Sequence, residues 1–305
     1  MSNMKELENK TMSENSFLPF EAVGVQTLTL AQLERTKKEN DAYNKPIMGI
    51  YHSDLLGRAL DICQQGGYTA EVYDLFAAQN RDRTSPGVSI LPELERMYGE
   101  RAIEAHILRR VYANIRLTDM DDEEHTTNLA IAFHQRGIQV GFGNMVKICH
   151  NQCMLGAGQF ASTYSDKGKK NQKFSVEQIL DCIKSWIADA RRIVVEEREK
   201  IRRMKAIIVS PEQVFTVIGM LISLRVACDT SDKRIRINRT YPLNSSQINR
   251  YTEKLMQQQF EAGQITAWDL YNCATDLYKA NSMDIPTMLP QNLSMAEFID
   301  EHFSL

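Results

Sequence analysis

The segment Cys149-His150-Asn151-Gln152-Cys153 carries the residues best suited to metal or thiol chemistry. A closed structural zinc site needs four ligands, usually supplied as two short pairs. The sequence contains no second pair, and His134 is the nearest further candidate. A nucleophilic thiol needs a base beside it, but neighbouring residues of a strand, such as Cys149 and His150, face opposite ways. We therefore expect small apolar cysteines at a strand end, and no metal site, cofactor or catalytic residue.

An acidic run from residue 119 to residue 124 precedes His125 and could bind a divalent cation through carboxylate oxygens. The calcium-loop spacing, with its glycine and terminal glutamate, is absent from the run. We interpret it as a solvated turn between strands. The glycine-rich and nucleophile-elbow motifs of nucleotide-binding enzymes and hydrolases are also absent from the sequence.

Basic residues are concentrated in one part of an acidic chain. Residues 160–240 carry 17 Lys and Arg against 10 Asp and Glu, a local net charge of +7, although the whole chain carries −3. Clustered cations are the electrostatic footprint of a nucleic-acid partner. The alternative is a surface helix with i,i+4 pairs such as Glu199 with Arg203. Ten residues are the candidate nucleic-acid contacts: Lys167, Lys169, Lys170, Arg191, Arg198, Arg202, Arg203, Lys205, Arg234 and Arg236.

Length and composition indicate a globular protein. The 305 residues are 43% hydrophobic, enough for one large domain or two modest ones. Residues 1–16 are polar, which predicts a disordered tail and no secretory signal. Six scattered cysteines then indicate reduced thiols and a cytoplasmic protein. Apolar runs fall short of the roughly 20 residues that span a bilayer, so we expect no membrane partner.

Hydrophobic periodicity divides the chain near Lys173. Before this point the apolar residues alternate, which is typical of strands, and after it they recur at helical spacing. Strands are predicted at 23–30, 68–78, 107–117, 129–133, 138–142 and 154–164, with glycines 141 and 143 marking a bulge or a close approach. Helices are predicted at 54–65 with Ser53 as N-cap, at 91–98, as one long helix from Ser175 through the charged residues beyond Arg191, and at 211–227, 245–260, 266–279 and 294–302. A strand at 23–30 competes with a helix over 30–39.

These elements predict an α+β protein, with an antiparallel sheet in the N-terminal half followed by a helical C-terminal half. The predicted divisions are a tail at 1–16, a sheet region at 17–165 and a helical region at 166–305. The helical region either has its own core or shares one core with the sheet.

Three passages carry a resemblance to known families. They are LAIAFH at 129–134 leading to GIQVGFG at 137–143, VKICHNQC at 146–153, and TAWDLYNCAT at 266–275. Together they resemble uncharacterised families carried by plasmids, conjugative elements and phages. The resemblance covers roughly residues 20–285 and implies a mobile-element setting and a sheet-then-helices fold. It implies no catalytic residues. Mobile elements often encode proteins that bind or anneal single strands.

The leading functional hypothesis is a non-enzymatic nucleic-acid-associated protein of a mobile element. Single-strand binding or annealing is favoured, with single-stranded DNA as partner and a homo-oligomer as the working form. Two alternatives stay open: a protein-interaction factor that modulates a host system, and an enzyme with an unrecognised site.

Overall fold

The computed structural model describes residues 25–27, 29–31, 33–34, 48–78, 110–134, 137–147, 152–155, 159–163, 174–237, 239–279 and 285–304. Several sequence predictions lie outside these residues. They are the tail at 1–16, the helix at 91–98, most of the helix at 30–39, and the linker lysines Lys167, Lys169 and Lys170.

An antiparallel sheet organises the N-terminal half. Its first five strands, in spatial as well as chain order, are β1 (Val25–Thr27), β2 (Ala70–Ala78), β3 (Arg110–Leu117), β4 (His125–His134) and β5 (Gly137–Val146). Two short strands, β6 (Gln152–Cys153) and β7 (Phe160–Ser162), both pair with β5. The alternation of apolar residues in the sequence therefore correctly predicted the strands at the centre of this sheet.

Helices make up most of the other described residues. They are α1 (His52–Gln65) before β2, then α2 (Val176–Ala188), α3 (Ala190–Ala206), α4 (Pro211–Asp229), α5 (Ser245–Ala262), α6 (Ala267–Lys279) and α7 (Ile285–Phe303). A two-stranded ladder of β8 (Ile208–Val209) and β9 (Ile265–Thr266) joins the segments that precede α4 and α6. The predicted fold class, α+β with an antiparallel sheet followed by helices, is confirmed.

The two faces of the sheet are covered by different helices. On one face, alternate residues such as Ile115 and Phe142 pack with apolar residues of α1, α2 and the start of α3. On the other face, Leu289 and Leu293 of α7 pack with Tyr112 and other residues of the sheet. A further apolar cluster joins the end of α3 to α4, α5, α6 and α7. Helix α7 therefore packs both on the sheet and in the helical cluster.

Gly141 confirms one of the two structural explanations offered for the strand glycines. The β4–β5 register runs without a shift past Gly141 and Gly143. A Cβ atom at Gly141 would overlap the Met154 sulfur, so the Met154 side chain approaches the strand closely at this glycine. The irregularity in the described ladder lies instead in β2, between Val72 and Asp74.

Three predicted helix boundaries were wrong. The long helix from Ser175 is two helices separated at Asp189, a residue type of low helix propensity. Helix α1 begins at His52 with Tyr51 as N-cap, so Ser53 does not cap it. The last helix starts nine residues earlier than predicted and contains Pro290. Burial of this segment against the sheet outweighs the hydrogen bond that a proline removes.

Candidate functional site

The basic helix α3 contacts the acidic turn between β3 and β4. Arg198 forms an ion pair from Nε to Asp122 Oδ2 at 2.9 Å and donates from Nη2 to the Met120 carbonyl oxygen at 2.7 Å. Lys205 donates to Glu124 Oε2 at 2.6 Å, and this hydrogen bond lowers the pKa of Glu124. Two of the predicted nucleic-acid contacts thus hold the turn against α3.

Other cations of α3 pair with carboxylates of the same helix. Arg192 donates to Glu196 at 3.0 Å, and Arg202 forms an ion pair with Glu199. The sequence alternative had paired Glu199 with Arg203 instead. Both observed pairs are exposed, so each charge stays hydrated and the pair contributes little to stability.

Four cations of residues 160–240 that the structure describes remain available on the surface. The side chains concerned are exposed and make no hydrogen bond or ion pair to any described residue: Arg191, Arg203, Lys233 and Arg236. Arg234 lies between the last two but is paired with Asp232, with a distance of 3.0 Å from Nε to Oδ1. We call residues 230–237 the cationic loop. Its backbone folds back on α4, because the Ile237 N–H donates to the Ala227 carbonyl oxygen at 2.9 Å.

Glu197 is a buried acid that the sequence interpretation counted only as a surface charge. Its Oε1 accepts from the Leu155 N–H at 3.0 Å and from Gln159 Nε2 at 3.1 Å. Its Oε2 accepts from the backbone N–H of Asn144 at 3.0 Å and from Asn144 Nδ2. Burial raises the pKa of the Glu197 carboxyl to about 7, although the four donors favour the ionised form.

The hydrogen bonds of Glu197 define what this carboxyl group can do. Each oxygen already accepts two hydrogen bonds from the protein, so the carboxyl group has no free position for contact with a substrate. The group connects α3 to β5 and to the segments before and after residues 156–158. We therefore assign it a role in positioning these elements. The sequence did contain a signal, because Glu197 continues the apolar spacing of Ala190, Val194, Ile201 and Met204.

A cavity of about 590 Å³ lies beside Glu197. Its charged lining residues are Asp189, Arg192, Glu196, Glu197, Lys200 and Arg203. Three cations are thus matched by three carboxyl groups, and this balance favours neither an anionic nor a cationic small ligand.

A polar network lies on the sheet face opposite α1 and α2. Tyr112 Oη donates to Asn114 Oδ1 at 3.2 Å, and Asn114 Nδ2 donates to Asp74 Oδ2 at 3.1 Å. Burial raises the pKa of Asp74. At the end of the same face, Arg116 Nε donates to Asp121 at 2.7 Å. These partners link β2, β3 and the acidic turn, so the network orders the sheet.

The predicted absence of a metal site stays a prediction. Cys149 and His150 lie outside the described residues, as does the side chain of Cys153. Within the described part of the chain, no group of three or more His, Cys, Asp or Glu residues could hold a metal ion. Asp121 and Asp122 of the acidic turn are already bound by arginines.

Helix α4 presents a large apolar surface to solvent. Val214, Val217, Ile218 and Leu221 are buried, as predicted for the last two. Phe215, Ile222 and Val226, on the outer side, are 62%, 47% and 58% exposed. By length and composition α4 is the one helix among the described residues that could cross a membrane, which the sequence interpretation had not allowed for. Its buried residues pack in the helical cluster.

Comparison of the chain with protein-family models, with curated proteins and with solved structures found no match.

Proposed function

We propose that this protein is a non-enzymatic nucleic-acid-associated protein that binds phosphates through the outer side of α3, with single-stranded DNA as the favoured partner. The observation that supports this most is the set of exposed cations without partners among the described residues, of which Arg191 and Arg203 lie at the two ends of α3. Twelve residues of helix separate them by about 18 Å. This distance is enough to contact several consecutive phosphates.

The neighbouring ion pairs can contribute to the same surface. Arg192 and Arg202 are each more than half exposed and pair with carboxylates that are also exposed. Exchanging such a carboxylate for a phosphate costs little, because neither charge is desolvated by the pair. Release of counterions from the nucleic acid then supplies a favourable free energy. We leave Arg198 and Lys205 out of the proposed surface because they bind the acidic turn.

The proposed binding does not depend on base sequence. Phosphate contacts carry no base information, and stacking of bases would need exposed aromatic rings close to the basic residues. Tyr112 is buried, Phe174 packs against the sheet core, and Tyr241 lies beneath Arg225, with 4.3 Å from the guanidinium carbon to the ring centroid. The resemblance to families of plasmids, conjugative elements and phages supports a mobile-element setting for this activity, and the scattered cysteines support a cytoplasmic location.

Fluorescence anisotropy with single-stranded DNA, duplex DNA and RNA, over a series of salt concentrations, tests the proposal. We expect binding to single-stranded DNA that weakens as the salt concentration rises. Replacing Arg191, Arg202 and Arg203 together by Gln should reduce the salt slope by roughly 0.7 for each phosphate that the protein no longer neutralises.

The matched control removes three positive charges that lie outside the proposed surface. Arg58, Lys184 and Lys254 are each paired with a carboxylate on α2 or α6, and their combined replacement by Gln should leave the slope unchanged. Equal slopes for the two triple variants, or no binding by the wild type at low salt, would exclude this function.

The second candidate function is a protein-interaction factor that modulates a host system. The specific observation that favours it is the exposed apolar side of α4, since large apolar surfaces on soluble proteins often mark interaction sites. If the wild type binds none of the three nucleic acids, this second candidate becomes the better-supported function.

A further inference from the structure

The outer side of α4 has the spacing of a helix-pairing seam. Phe215, Gly219, Ile222 and Val226 follow one another at intervals of four, three and four residues. This is the a/d pattern by which two helices pack along their length. The buried residues of α4 lie on the other side of the helix, so the seam is available to a partner.

A groove runs beside this seam. It has a volume of about 590 Å³ and lies between small residues of α4, among them Gly219 and Ser223, and a wall that includes Ile237 and Phe298. A ridge of large apolar side chains therefore lies next to a groove on one surface. Two copies of such a surface are complementary, because the ridge of each can enter the groove of the other.

The order of residue sizes along the seam favours an antiparallel arrangement. A two-fold axis between Met220 and Leu221 would place Gly219 opposite Ile222 of a second copy, and Phe215 opposite Val226 of that copy. Each Ile222 then faces the space left by a glycine. A closed two-fold interface uses the same patch on both subunits, as this arrangement does.

Charges at the ends of α4 agree with the same arrangement. Glu212 is exposed in the first turn of α4, where a hydrogen bond from Ser210 lowers its pKa. At the other end, Lys233 and Arg236 of the cationic loop have no side-chain partner in the part of the chain that the structure describes. Antiparallel pairing brings this loop of one copy towards Glu212 of the other, and the negative charge of Asp229 at the same end is paired with Arg225. Parallel pairing would bring like charges together at both ends.

We propose that the exposed side of α4 binds a second copy of this chain, as an antiparallel two-fold helix pair centred between Met220 and Leu221. The proposal is independent of nucleic-acid binding, which uses α3. Pairing would replace the solvent around the side chains of Phe215, Ile222 and Val226 with contacts to the second copy. A different protein, or a lipid surface, is an alternative occupant that the experiments distinguish.

Sedimentation equilibrium of the full chain over a micromolar concentration series tests the proposal directly. The wild type should be dimeric, and Ile222→Lys should weaken dimerisation by at least about tenfold, equivalent to about 1.4 kcal/mol. Val195→Lys is the matched control, because Val195 is 63% exposed but lies on α3; it should leave the dimer intact. A monomeric wild type, or equal dimerisation of the two variants, would overturn the proposal.

Gly219→Leu separates pairing from folding. A Cβ at Gly219 meets no atom within 4 Å, and the same holds for Gly57 on α1. Leucine also favours the helix over glycine, so both Gly219→Leu and Gly57→Leu should fold normally by circular dichroism. Only Gly219→Leu should lose the dimer. A dimer that survives Gly219→Leu would contradict the antiparallel register.

A charge exchange tests the orientation and the identity of the partner. Glu212→Lys alone, and Lys233→Glu with Arg236→Glu, should each weaken the dimer, and the combination of all three should restore it. Failure of the combined variant to recover would overturn the antiparallel arrangement. Wild-type protein that stays monomeric yet binds neutral phosphatidylcholine vesicles, or a different purified protein, through Ile222 would overturn self-pairing in favour of that occupant.

Discussion

Helices α3 and α4 lie next to each other in the chain and differ in how they satisfy their side chains. Ten of the 17 residues of α3 are charged, yet its cations are largely matched by carboxylates of the acidic turn and of α3 itself. Only three of the 19 residues of α4 are charged, yet its outer side leaves Phe215 and Val226 mostly in solvent. The charged helix α3 therefore has partners for more of its side chains than the apolar helix α4 has.

The difference between α3 and α4 shows that residue type predicts that a side chain needs a partner. It does not predict which residue or molecule that partner is. The cations of α3 suggested an external phosphate partner, but Arg198 and Lys205 pair with carboxylates of a turn more than 70 residues away. The apolar residues of α4 suggested a core helix, but only one side of it is covered. Four measurements test this comparison, in order of expected effect.

Loss of the buried acid of α3 should have the largest effect. Glu197→Ala leaves four N–H donors without an acceptor in a buried place, and we expect it to lower the free energy of unfolding by about 3–5 kcal/mol. The neighbouring Glu196→Ala removes an exposed carboxylate and should change it by less than about 0.5 kcal/mol. Urea denaturation compares the two, and similar values would place Glu197 in solvent.

On α4, the two sides should respond differently to truncation. Leu221→Ala opens a cavity in the helical cluster and should cost roughly 2–5 kcal/mol. Ile222→Ala, measured at concentrations too low for pairing, should cost less than about 0.5 kcal/mol. A large effect of Ile222→Ala under those conditions would mean that its side of α4 is covered within one chain.

The stability should also depend on pH through Glu197. Its pKa is raised to about 7 in the folded protein, so the folded state binds the proton more tightly than the unfolded chain. The resulting stabilisation is complete below the ordinary glutamate pKa and is lost as the pH rises through about 7, a change of roughly 3 kcal/mol.

Glu197→Gln is the control for this pH dependence, because glutamine does not titrate. Denaturation curves between acidic and slightly alkaline pH should show a flatter profile for Glu197→Gln. Other buried acids, such as Asp74, titrate in both proteins and cancel in the comparison. Parallel profiles would contradict the prediction, because they would mean that the pKa of Glu197 is the same in the folded and the unfolded protein.

The smallest expected change in stability separates the α3 cations that have a partner within the described residues from those that have none there. Arg198 is 22% exposed and donates to a backbone carbonyl, so Arg198→Ala should cost about 1–2 kcal/mol. Arg191→Ala, with no partner to lose among the described residues, should cost less than about 0.5 kcal/mol. Thermal denaturation of both variants measures the difference, and equal costs would remove the distinction between the two cations.

Local sequence signals predicted the elements whose causes are local. Alternation of apolar residues from Val111 to Leu117 identified β3, because the side chains of a strand point alternately to two faces. Ser175 and Ser210 were identified as helix starts, and both form capping boxes in which side chain and backbone of nearby residues satisfy each other. The mixed fold class followed from the change of period near Lys173.

Features that depend on distant segments were not predictable in the same way. The sequence alone indicates a surface charge at Glu197, because its four donors come from residues 38 to 53 positions away. The acidic turn and the basic helix each suggested a ligand, because their contact joins segments that only folding brings together.

The sequence by itself determined the central strands of the sheet, most helix positions and the excess of positive charge after residue 160. These follow from side-chain periodicity, capping and composition, which act over a few residues. Tertiary structure decided which charges are matched, that α7 continues through Pro290 onto the sheet, and which side of α4 is left in solvent. Such outcomes depend on free energies of burial and pairing between distant segments, and these exist only once the chain has folded.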